Sequence, residues 1–93
     1  MLKGPSEKFN SSDIALNFMT YLASNADHMG AFCNQSGMAA TDIKDNLTSP
    51  AFQAFLLDYA LQDESLLLAF AEEMNIRPQD VTRARRNLPG YDE

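Results

Sequence analysis

Apolar residues in this chain recur three and four positions apart, and nowhere do they alternate with polar ones at period two. Valine, a strand-favouring residue, occurs only at Val81. The helical spacing is also cut into short lengths by start and stop signals. Ser49-Pro50 pairs a capping hydroxyl with a proline at the first helical position. Gly37-Met38 and Asn75-Ile76 each place a residue that tolerates left-handed backbone before an apolar residue that can fold back. Arg77-Pro78 begins a further helix, and Pro89-Gly90 stops it. These features predict an all-α fold, a compact bundle of five or six short helices with short connections and helix-turn-helix-like corners.

The elements follow from the same spacing. Ser11, Ser12 and Asp13 offer capping oxygens for a first helix that carries Ile14, Phe18, Tyr21 and Leu22 and ends near Asn25. Leu16, Met19 and Ala23 give this helix a second apolar row, suited to a central position or to a partner. Asp27 is the expected cap of a second helix with Met29, Phe32 and Cys33 inward. Thr41 is the expected cap of a short third one with Ile43 and Leu47. The fourth runs from Pro50 to Leu61 with Phe52, Phe55, Leu56 and Tyr59 on one stripe. Asp63 caps the fifth, whose Leu66, Leu67, Phe70, Ala71 and Met74 are spaced for burial while Glu64, Glu72 and Glu73 stay wet. The sixth turns Val81, Ala84 and Leu88 inward. Residues 1–10 read as a flexible arm, 11–90 as one domain and 91–93 as a loose tail. One spacing occurs twice, as Phe32, Gly37-Met38, Asp42-Ile43 and as Phe70, Asn75-Ile76, Asp80-Val81. Generic helix corners converge on it, and a duplication would produce it too.

Composition limits the function. Ninety-three residues make one domain, which buries roughly 60–65% of its unfolded surface. Seven basic against thirteen acidic residues give a net charge of -6, which opposes a diffuse grip on nucleic acid or anionic lipid. Cys33 has no intrachain partner, as expected of a protein in a reducing, cytoplasmic setting. The first ten residues lack the apolar run of a signal peptide, and no stretch approaches a membrane span, so no membrane association is expected.

Catalytic signatures are missing. His28 is the single histidine, and Cys33 lies five positions after it, which puts the two on different faces of a helix. Two such ligands fall short of a zinc site, so no metal is expected. Asp63-Glu64 and Glu72-Glu73 read as helix-end and solvated charges, and the glycines 4, 30, 37 and 90 form no phosphate loop. The chain is therefore read as a non-enzyme without a cofactor, a reading that a pocket converging on His28 would reopen.

Two surfaces remain as interaction candidates. Leu16, Met19 and Leu68 form a candidate protein-interaction patch, for self-association or an unidentified protein partner. Arg77, Arg83, Arg85 and Arg86 concentrate positive charge near the C-terminus. With Val81, Ala84 and Leu88 inward, Gln79, Thr82, Arg83 and Arg86 point outward together. The run Phe70, Ala71, Met74, Asn75, Ile76, Val81, Ala84 resembles DNA-binding helix-turn-helix motifs, with Asn75 where glycine is usual and Pro78 early in the second helix. The resemblance implies that Gln79, Thr82, Arg83 and Arg86 would approach bases or phosphates. On an acidic chain, nucleic-acid binding ranks behind protein interaction.

Asp63-Glu64-Ser65-Leu66-Leu67-Leu68-Ala69-Phe70, followed by Arg83-Ala84-Arg85-Arg86-Asn87-Leu88-Pro89-Gly90, is similar to a bacterial family of small all-helical proteins known as a domain of unknown function. Ser49-Pro50-Ala51-Phe52 and the Phe32 to Gly37 segment fit its layout. The family commonly has a capping acid at the position of Arg77, so the resemblance implies a less well capped sixth helix here. It implies a bacterial cytoplasmic helical domain and brings no activity, substrate or catalytic residue.

Overall fold

Extended backbone at Asn10, Asn25, Ala39, Ser49, Asp63 and Arg77 opens six helices in turn. The computed structural model describes residues 10–89. It contains α1 (Ser11–Ala23), α2 (Ala26–Ser36), α3 (Ala40–Asn46), α4 (Pro50–Leu61), α5 (Glu64–Met74) and α6 (Pro78–Arg86). Among the described residues there is no strand, and the fold is all-α. None of these helices is long and apolar enough to cross a membrane. The expected arm lies outside the described residues except for Asn10, and the tail lies outside them entirely.

The caps show which local signals govern. Ser49 Oγ accepts from the Phe52 N–H at 3.3 Å and Asp63 Oδ1 from the Leu66 N–H at 3.2 Å, as the sequence indicates. Three starts fall elsewhere. Asn10 caps α1, with Oδ1 accepting from the Asp13 N–H at 2.8 Å, so Ser11, Ser12 and Asp13 all lie inside the helix. Asn25, not Asp27, caps α2 and accepts from the N–H groups of both Asp27 and His28. Ala39, not Thr41, precedes α3. In each case the extended backbone falls before the first expected cap, and at Asn10 and Asn25 that geometry lets the side-chain oxygen reach the N–H groups of the first turn.

The repeated spacing has a repeated geometry. Gly37 (φ 75°) and Asn75 (φ 60°) are left-handed, Phe32 and Phe70 are fully buried before them, and Ile43 and Val81 are buried after them. Alanine and arginine side chains offer no acceptor at the N-cap, so only the returning half of a capping box forms. Asp42 Oδ2 accepts from the Ala39 N–H, and Asp80 Oδ2 from the Arg77 N–H, each at 3.0 Å. The missing acid at Arg77 is thus partly compensated by Asp80. The corners differ in detail, because the Ile76 N–H closes on Ala71 O while the Met38 N–H donates to Ser36 Oγ.

α1, α4 and α6 pack on one another, with α2 against α1 and α5 against α4 and α6. Phe18 meets Phe70 edge-on at 5.1 Å, and Tyr59 meets Phe32 edge-on at 4.9 Å, which ties four helices into one core. α4 departs from its expected single stripe. Phe52 and Leu56 are buried, but so are Gln53, Ala54, Leu57 and Ala60, while Phe55 is 40% exposed. A helix covered from several directions buries more than one side. The Gln53 amide donates to Leu47 O at 2.9 Å, which satisfies one of its buried donors.

Candidate functional site

α6 ends the packed core with one face against α1 and α4, so its basic residues divide by position. Val81, Ala84 and Arg85 face inward. Arg85 is only 6% exposed; its Nε donates to Asp58 Oδ1 at 2.7 Å and its Nη1 to Leu88 O and Pro89 O. It ties α6 to α4 and leaves the outer surface. Gln79, Arg83 and Arg86 are exposed and Thr82 is half-buried. Asp80 stands between two of the arginines, with Oδ1 3.5 Å from Arg77 and 3.7 Å from Arg83. The Arg77 backbone N–H, more than the arginine charges, holds the Asp80 carboxyl below the usual carboxylate range. Arg86 forms no ion pair among the described residues.

This edge of α6 borders a groove of about 680 Å³, shared with the start of α1 and the α5–α6 turn. Ile14, Ile76 and Ala84 give it an apolar base. Asn10, Asn75 and Asn87 bring carboxamides to it, and Arg77 and Arg83 bring charge. Carboxamides both donate and accept, so they match a peptide backbone, while guanidinium groups match carboxylates. With Asp80 counted, the groove carries a local excess of positive charge on an acidic chain.

Of the four residues expected to form a nucleic-acid face, only Arg83 borders the groove; Gln79, Thr82 and Arg86 lie on other parts of α6. The Leu16, Met19 and Leu68 patch does not assemble as one exposed surface. Met19 is 6% exposed and belongs to the core, Leu16 is half-buried, and Leu68 is 48% exposed. The second apolar row of α1 reflects its central position, since α1 packs against α2, α4 and α6. The asparagines of the groove were not legible as a site, because residues 10, 75 and 87 meet only in the fold. Arg85 did carry a signal. It stands four residues after Val81 and three before Leu88, on the inner stripe itself.

Among the described residues no group of three or more His, Cys, Asp or Glu side chains could hold a metal ion. A smaller pocket does include His28, with Asp63 and Ser65 also on its lining, which meets the condition set for reopening a catalytic reading; no hydrogen bond joins these three side chains among the described residues. No curated protein and no solved structure matches the chain. Residues 9–91 match the family described as "Protein of unknown function (DUF3572)", and the chain belongs to that family.

Proposed function

We propose that this chain is a non-enzymatic protein-interaction module that holds an extended acidic segment of a partner in the groove between α1 and α6. The observation that carries this reading is the combination of an apolar base, three carboxamides and two exposed arginines in one groove. An extended peptide offers backbone amides to the asparagines, carboxylates to Arg77 and Arg83, and an apolar side chain to Ile14 and Ile76. The reading takes the protein as bacterial and cytoplasmic, supported by the family resemblance and by a lone cysteine. Self-association through the exposed Leu68 and Phe55 is compatible with it.

Nucleic-acid binding is the second reading, with the α5–α6 corner acting as a helix-turn-helix. The exposure of Gln79, Arg83 and Arg86 favours it. The pairing of Arg83 with Asp80 and the burial of Arg85 reduce the charge available for it. One experiment separates the two: fluorescence anisotropy with a labelled Asp/Glu-rich peptide containing one leucine, and with duplex DNA at low salt. The peptide reading expects saturable peptide binding that Arg77→Ala with Arg83→Ala abolishes and Arg86→Ala leaves within about twofold. Binding of DNA alone, weakened by Arg86→Ala and by salt, overturns it in favour of the second reading.

A further inference from the structure

A second cavity, of about 240 Å³, opens where the C-terminal ends of α1 and α4 meet the N-terminal ends of α2 and α5. Tyr21 comes from α1, His28 from α2, Tyr59 from α4, and Asp63 and Ser65 from the start of α5. Ala31 and Ala69 leave the space between them open. The aromatic walls are held by packing. Tyr21 lies 5.7 Å from the His28 ring and 5.6 Å from Phe70, and Tyr59 stacks edge-on against Phe32.

The polar groups here are incompletely used. Asp63 Oδ1 accepts from the Leu66 N–H, and Oδ2 has no hydrogen bond or ion pair among the described residues. His28 Nδ1 is buried without a hydrogen-bond partner. The tautomer with its proton on Nε2 avoids burying an unpaired N–H there. Burial, with the Asp63 charge beside it, raises the Tyr59 hydroxyl above its ordinary range, so the phenol keeps its proton and its neutral, electron-rich ring.

The field of the cavity favours a cation. No Lys or Arg lines it among the described residues, and Asp63 supplies a fixed carboxylate. The ends of α1 and α4 present the negative poles of their dipoles. The positive poles of α2 and α5 are offset by Asp27 and Glu64 in their first turns and by Asp63 itself. Tyrosine faces attract an ammonium group within ~6 Å. The volume is below the ~300–1,000 Å³ of sites for drug-sized ligands, so the occupant is small.

We propose that this cavity binds a small organic ammonium group, seated against the Tyr21 and Tyr59 rings with its charge on Asp63. The group belongs to a free amine or to a methylated lysine side chain of a partner. The site is separate from the α1–α6 groove and stands or falls independently of the peptide reading.

The test is calorimetric and NMR titration of the full chain with choline, with its uncharged isostere dimethylbutanol, and with a capped tripeptide carrying trimethyllysine. Saturable binding of choline or the tripeptide, with ring shifts at Tyr21, His28 and Tyr59, is expected. The isostere should bind at least about tenfold more weakly. Asp63→Asn keeps an oxygen able to cap α5 and removes the charge, so it should weaken ammonium binding at least about tenfold while folding is retained. Tighter binding of the tripeptide than of choline assigns the site to a partner's side chain; the reverse order assigns it to a free amine. Three results overturn the proposal: no ring shifts with either cation, equal binding of the isostere, or unchanged binding by a folded Asp63→Asn variant.

Discussion

Replacing Asp58 should cost more stability than replacing Arg85, although Asp58 is the more exposed partner. The Asp58 side chain is 56% exposed, whereas Arg85 lies within the core beneath α6. Asp58→Ala takes the 2.7 Å carboxylate acceptor from a buried guanidinium, whose contacts to Leu88 O and Pro89 O at 3.3 and 3.0 Å remain. Arg85→Met leaves a carboxylate that water can reach and fills the space with an apolar chain of similar length. A charged hydrogen bond contributes about 1.5–3 kcal/mol, and the exposure of Asp58 reduces this to a coupling of about 1–1.5 kcal/mol. Adding the weaker solvation of a buried guanidinium that has lost this carboxylate gives a loss of about 2 kcal/mol for Asp58→Ala, against about 1 kcal/mol for Arg85→Met. For a domain of this size the first loss lowers Tm by roughly 10 °C. Urea unfolding followed by far-ultraviolet circular dichroism measures both variants and the double variant, in a chain without Trp. The reasoning is refuted if Asp58→Ala lies within about 0.5 kcal/mol of the parent, or if the coupling energy vanishes.

The two left-handed corners should respond alike to alanine. Gly37→Ala and Asn75→Ala are each expected to cost about 1 kcal/mol in urea unfolding, and Asn75→Gly to be neutral or slightly stabilising; a Cβ at Gly37 meets nothing within 4 Å, so backbone strain alone acts there. Ser49→Ala should cost about 1 kcal/mol by loss of the cap on the Phe52 N–H, while Thr41→Ala, inside α3, should be close to neutral in the same assay. Asp80 gives a pH signature. Its folded pKa is lowered, first by the Arg77 N–H, so its contribution is fully present above the ordinary carboxylate value of 3.8 and is lost as pH falls through the lower folded value. Asp80→Asn should therefore flatten the fall in stability from about pH 4 downward, and an unchanged profile would contradict this assignment.

Helix boundaries were legible wherever a single residue decided them. Pro50 after Ser49, Gly37, and Asn75 before Ile76 each fix a backbone conformation within a residue or two. Boundaries shifted where several polar residues stood in a row, as at Asn10 to Asp13 and Asn25 to Asp27. Composition cannot choose among adjacent oxygens, and the extended φ and ψ of one residue does. The faces of α1 and α4 were less legible, because a wheel assumes one buried side. Met19 and Leu57 lie inside because neighbouring helices cover more than one side of α1 and α4. The groove and the His28 cavity were illegible for a further reason: each is made by residues from separate helices that no local spacing relates.

α6 shows how packing revises a charge pattern read from sequence. Four of the seven basic residues fall between Arg77 and Arg86, which suggests a strongly cationic helix. An arginine on the inner stripe, however, needs a carboxylate, and Arg85 has one in Asp58, a residue 27 positions away. Of the remaining three, Arg77 and Arg83 share Asp80, so the exposed helix carries three arginines against one aspartate, a net charge of about two. A phosphate-binding surface of that size releases few counterions, and its binding to duplex DNA should change with salt by a log–log slope of only roughly -2 to -3. The same modest charge suits a short acidic segment, whose one or two carboxylates it matches without demanding a polyanion. A steep salt slope in DNA titrations would show that the charge on Arg77, Arg83 and Arg86 had been underestimated; a shallow one, with peptide binding retained, fits a groove that selects by backbone and apolar contacts.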